Sequence, residues 1–154
     1  MPETVQQLMA MIEQAVKNQD RLILVVGQPG SGKSKLLREL ATLEGWRLIS
    51  CRELISEELL ELVPEERQRE APNLIGEMLA HNDARVILLD NVDVLFTPVL
   101  RLKPLELLRQ LSERQVIVAA WPGTYDGNRL EFIHSLAQRS YSFTPDNLTI
   151  IKID

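Results

Sequence analysis

The stretch Gly27-Gln28-Pro29-Gly30-Ser31-Gly32-Lys33-Ser34 restricts this chain more than any other feature. It follows an unbroken apolar run, RLILVV at residues 21–26, and precedes a segment with helical spacing at Leu36, Leu37 and Leu40. Strand, glycine-rich turn and helix form the context in which G-x-x-x-x-G-K-S wraps phosphates. Gly27, Gly30 and Gly32 let the backbone curl so that successive N–H groups point inward. A helix beginning near Lys33 adds its positive end. Lys33 is expected on the β- and γ-phosphates and Ser34 on Mg²⁺, with Lys35 in the same first turn. The ligand this predicts is ATP with Mg²⁺.

The rest of the chain alternates apolar strands with helical stretches. Residues 4–18 carry a one-sided stripe at Val5, Leu8, Met9, Ile12, Ala15 and Val16, with Thr4 and Gln7 spaced for a capping box. Further strands are expected at 46–51, 85–90 (RVILLD), 116–121 (VIVAAW), 141–143 and 148–153. Helices are expected at 33–43 (with Gly45 as its stop), 53–63, 74–81, 105–111 and 130–139. The charged stretch 64–72 reads as a surface loop or a frayed turn. Such alternation predicts one α/β domain over 1–154, a three-layer sandwich around a central parallel sheet, with the helix in 1–20 packed on the core.

A phosphate loop needs an acid at the tip of a neighbouring strand to hold the metal's water shell. Asp90, after Val86-Ile87-Leu88-Leu89, fits that position and is expected, with Ser34, to serve the metal. In the hydrolases of the additional-strand P-loop class a Glu follows this Asp and polarises the attacking water. Here Asn91 follows, and an amide orients water without taking its proton. Asp93 is a substitute base if the chain turns back. Two outcomes stay open: slow or partner-dependent hydrolysis, or none of use.

At 154 residues the chain buries roughly 68–70% of its unfolded surface, enough for an ordinary core. The net charge of −5 argues against tight, unaided binding to nucleic acid, which calls for a basic excess. No apolar run approaches the ~20 residues of a membrane span, and the N-terminus lacks a secretory pattern, so a cytoplasmic protein is expected. Cys51, the one cysteine, reads as a small core residue, with a reactive thiol as the sharper alternative.

The segment Leu136-Ala137-Gln138-Arg139-Ser140-Tyr141-Ser142-Phe143 resembles the AAA+ arrangement, where an arginine ends the helix after the fourth strand and reaches a neighbouring subunit's nucleotide. That resemblance implies a trans-acting role for Arg139. Such a finger is worth about 10³–10⁵ in rate. Arg109, Arg114 and Arg129 are weaker candidates, and Thr124 is the candidate polar sensor. Nothing after Asp154 reads as the helical lid usual in AAA+ proteins, so an AAA+-like core lacking it is expected. Taken together, GQPGSGKSKLL, VILLDNVDVLF, VIVAAWPG and LAQRSYSF resemble BrxF, the small P-loop proteins of BREX phage-defence systems in bacteria and archaea. The resemblance covers nearly the whole chain and implies nucleotide-dependent action in a homo-oligomer or with other defence proteins, with DNA touched only inside an assembly.

Other classes leave weaker traces. A GTPase would carry N/T-K-x-D, which is absent. A small-molecule kinase would want an acid after the second strand and an arginine-rich lid, for which Glu53, Arg67 and Arg69 are a faint pattern. A nucleotide-gated scaffold without turnover is the serious alternative to an ATPase.

Overall fold

The computed structural model describes residues 4–43, 46–81, 84–134, 139–144 and 148–153. Helix α1 (Val5–Lys17) opens with the expected capping box: Thr4 Oγ1 accepts from the Gln7 amide and Gln7 Oε1 accepts from the Thr4 amide, both at 3.1 Å. Its buried stripe, Leu8, Ile12 and Ala15, lies against one face of the sheet together with Leu37 and Leu40 of α2 (Lys33–Leu43). Strand β1 (Leu22–Gly27) is buried at every position. Its even residues, Leu22, Leu24 and Val26, join the core on one face, while Ile23 and Val25 join the core on the other. Alternation of side chains with both faces covered is why this strand has no polar position.

The central strands run in the order β2 (Arg47–Ser50), β3 (Val86–Asp90), β4 (Val116–Tyr125), β1 and β7 (Thr149–Lys152), each parallel to its neighbours. Helices α3 (Glu57–Glu61), α4 (Pro64–Ala80) and α5 (Pro104–Ser112) cover the second face through Leu59, Ile75, Leu79, Leu108 and others. The register sets Gly27 beside Pro122 and Ser50 beside Asp90, so loop and carboxylate emerge at one end of the sheet.

Three expectations fail. Residues 64–72 form no loop: Pro64 stands in the first turn of the 17-residue α4, with Glu65 and Glu66 complementing the helix dipole. Arg67 in this charged stretch is buried, and its guanidinium donates to the carbonyls of Leu59, Leu60, Leu62, Val99 and Leu100 at 2.9–3.2 Å. The stretch 53–63 is broken as well, into a 3₁₀ turn at Cys51–Leu54 and the short α3. Gly45, the expected helix stop, lies outside the described residues.

The helix expected at 130–139 is not formed by its described residues, 130–134 and 139, which lie in strands, while 135–138 fall outside the described residues. Strand β4 runs past its parallel partners to Tyr125, turns at Asp126-Gly127-Asn128-Arg129, and returns antiparallel as β5 (Leu130–His134), which pairs with β6 (Arg139–Phe143). Asp126 Oδ1 accepts from the Asn128 and Arg129 amides at 2.8 Å, and these bonds hold its carboxyl below the usual range. A side chain at Gly123 would collide with the Glu131 carbonyl, so glycine permits the close approach of β5. Leu130 and Phe132 are fully buried with a period of two, the strand's own signature. The resulting antiparallel wing is held by rings: Phe96 stacks on Phe132 (centroids 3.5 Å), and Trp121 meets Phe96, Phe132 and Phe143 edge-on at 5.5–5.8 Å.

Candidate phosphate-binding site

The loop after β1 takes the curl its glycines allow. Gly30 and Gly32 sit at φ +86° and +94°, the left-handed region that side-chain-bearing residues avoid. Lys33, buried at the start of α2, folds its ammonium over the loop and donates to the Gly27 carbonyl (2.7 Å), the Gln28 carbonyl (2.9 Å) and Ser31 Oγ (3.3 Å). The flexible stem lets the same ammonium exchange these oxygens for phosphate oxygens.

Beside the loop is a cleft of about 190 Å³. Pro29, Gly30, Lys33 and Ser34 form one wall, Asp90, Asn91 and Asp93 another. Ala120, Pro122 and Ile133 close it with apolar surface, so the wing supplies part of the wall. Across the cleft the Ser34 hydroxyl donates to Asp90 Oδ1 at 3.0 Å. Two hard oxygens this close, next to a nest of amides, fit Mg²⁺, which takes one or two protein oxygens and fills its octahedron with water and phosphate. Among the described residues no group of three or more His, Cys, Asp or Glu gathers to hold a metal independently of a ligand.

Asn91 adopts φ 56°, ψ 40°, and its amide N–H donates to Asp90 Oδ1 at 2.8 Å. That left-handed step turns the chain into a 3₁₀ segment, Val92–Phe96, and brings Asp93 to the cleft wall. Asn91 Oδ1 accepts from the Ser50 hydroxyl at 2.6 Å, and Ser50 Oγ in turn accepts from the Arg52 amide at 3.2 Å. Ser50 thereby fixes the orientation of the Asn91 side chain, whose neutral amide carries no basic group. Sequence reasoning misses Ser50. Its signal is a hydroxyl ending a strand adjacent to the one that ends in Asp90. Cys51 is fully buried next door, and burial first, then the charges of Asp90 and Asp93, pushes its thiol up to about 12.

Other candidates fall elsewhere. Gln28 and Thr124 face a separate depression with Lys152, and Lys35 is exposed on the outer side of α2. Arg139 opens β6 opposite His134 rather than ending a helix, and its side chain lies outside the described residues. Arg67 is committed to carbonyls and the exposed Arg69 pairs with Glu70 at 3.6 Å, so neither supplies a kinase-like lid.

A parallel sheet in this order, with a glycine-rich loop after the interior strand β1 and an aspartate ending β3, defines a P-loop nucleotide-binding fold. The sequence matches the AAA family, "ATPase family associated with various cellular activities", over residues 23–116. This chain belongs to that family. Among curated proteins none matches it in sequence. Its fold is similar to the solved structure of C. elegans PCH-2, at TM-score 0.51 and 17% identity, covering 100% of this chain and 44% of that one. A DNA replication initiation factor (0.49, 18%, 100% and 47%) and katanin (0.41, 19%, 75% and 38%) are more distant in shape. The chain thus spans less than half the length of each, and at these identities the PCH-2 likeness speaks for the fold alone.

Proposed function

We propose that the chain binds ATP with Mg²⁺ in the cleft between Gly27–Ser34 and Asp90, and hydrolyses it slowly or only when a partner stimulates it. The observation that carries this reading is Asn91. Its oxygen accepts from Ser50, which fixes its orientation, and a neutral amide is too weak a base to take a proton from water in the place after the metal-holding aspartate. Its N–H groups remain suited to orient that water or to bond a γ-phosphate oxygen. Lys33 and the loop amides bind and align the phosphates, Ser34 and Asp90 would hold the metal, and Asp93 is the remaining carboxylate on the cleft wall. Mg²⁺, when bound, would supply neutralisation of the charge on the phosphates.

Likeness to BrxF favours a setting for this activity: a cytoplasmic, multiprotein phage-defence assembly in which the chain works as a homo-oligomer or with other defence proteins. There Arg139, on the outer strand of the wing, is the candidate to complete a neighbour's site. A switch that binds ATP without turnover is the second reading, and the same Asn91 geometry favours it.

Phosphate release, measured over a range of protein concentrations with and without Mg²⁺, tests the proposal. We expect slow, Mg²⁺-dependent release that rises more steeply than protein concentration, is absent in Lys33→Ala, and loses its steepness in Arg139→Ala. Tight ATP binding without release would make the chain a switch. ADP formation only with an added acceptor would make it a kinase.

A further inference from the structure

A concavity of about 730 Å³ lies away from the glycine-rich loop, between β6 and the segment 97–109. Phe96, Leu102 and Tyr141 give it an apolar floor, and Tyr141 is 37% exposed. Its rim carries Arg101, Lys103 and Arg109 against a single acid, Glu106. Among the described residues none of these three side chains has a hydrogen-bond or ion-pair partner. They form a cationic rim on a chain of net charge −5.

A second, independent feature adjoins it. Strand β6 pairs with β5 on one side, and among the described residues no strand pairs with its other side. Such an edge presents unpaired N–H and C=O groups to whatever extended backbone comes alongside. A strand added there sends alternate side chains to one face, and on β6 that face, with Tyr141 and Phe143, lines the concavity.

We propose that this edge and groove form a docking site for an extended, acidic segment of a partner protein. The segment adds as a fourth strand to β4–β5–β6, placing apolar side chains over Tyr141 and carboxylates against Arg101, Lys103 and Arg109. A second copy of this chain fits poorly. A two-fold contact through β6 sets these cations against their own counterparts, and the chain's acidic stretch, residues 57–66, is folded into α3 and α4 and offers no strand. Single-stranded nucleic acid also fits poorly, because the rings that would stack on bases are packed on one another and Tyr141 alone among them is exposed.

The test is fluorescence anisotropy of a labelled valine–glutamate peptide of repeating Val-Thr-Glu-Thr, whose valines and glutamates share one strand face, titrated with the full chain. Comparison probes are a valine–lysine peptide, the valine–glutamate peptide N-methylated at alternate amides, and an oligothymidylate. We expect saturable binding of the valine–glutamate peptide, with the lysine and N-methylated forms about tenfold weaker or worse. The double variant R101E/K103E should lose about tenfold for the glutamate peptide and gain for the lysine peptide, while ATP affinity stays unchanged as a check on folding. Failure of the glutamate peptide to bind, equal binding after N-methylation, or indifference to the charge reversal would each overturn the proposal. Displacement of the peptide by tighter-binding oligothymidylate would overturn it in favour of a nucleic-acid groove.

Discussion

The phosphate cleft is made of main-chain amides, one lysine and a hydroxyl–carboxylate contact, whereas the wing a few ångströms away is made of stacked rings on an antiparallel ribbon. Both are joined by one short stretch: Asn91 lines the cleft, and Phe96, five residues later, lies in the wing's aromatic cluster. The cleft takes its shape from local backbone demands, met by glycines at positive φ within eight residues of sequence. The wing takes its shape from contacts among residues 96, 121, 132 and 143, which are remote in sequence. One region is tuned for ligand, the other for stability, and changes in each should separate accordingly.

The largest separation is expected from Phe132→Ala. Removing a fully buried ring from the cluster should cost about 3–5 kcal/mol, read by chemical denaturation. A loss below about 1 kcal/mol would mean the wing is not a packed unit. The converse variant, Lys33→Ala, should weaken ATP about 100-fold, or about 2.7 kcal/mol, with little change in stability. Unchanged affinity would remove the site. Asn91→Glu restores a carboxylate where the amide stands and should raise basal phosphate release about tenfold, without moving the melting temperature greatly. No change would place the attacking water elsewhere.

The smallest effect concerns Cys51, beneath the cleft. Its thiol is raised from 9.0 to about 12, so the protonated form is the one folding favours. This contribution to stability is fully present below pH 9 and is lost as pH climbs from 9 towards 12. Native protein at pH 8 should therefore resist maleimide at a rate set by unfolding, and fast labelling would show the thiol is reachable.

Much of the cleft was legible because its signals are local: G-x-x-x-x-G-K-S between strand and helix, and Asp90 after four apolar residues. The parallel sheet was legible from continuous apolar runs. The wing was misread because Leu130, Phe132 and Ile133 also suit a helix face, and the AAA+ resemblance supplied a helix there. The Asp126-Gly127 turn was the contrary signal. Residues 64–72 were misread because charge suggested solvent, while Pro64 followed by two glutamates marks a helix start. That Arg67 would be buried against five carbonyls has no local signature at all. Ser50 gains its place only from the β2–β3 register.

The most direct measurement is backbone amide NMR during titration with ATP and Mg²⁺. The account requires the largest shifts at the amides of residues 27–34, with Asp90 and Asn91 following, and their disappearance in Lys33→Ala. Shifts confined to the groove around Tyr141 and Leu102, with the glycine loop silent, would contradict it.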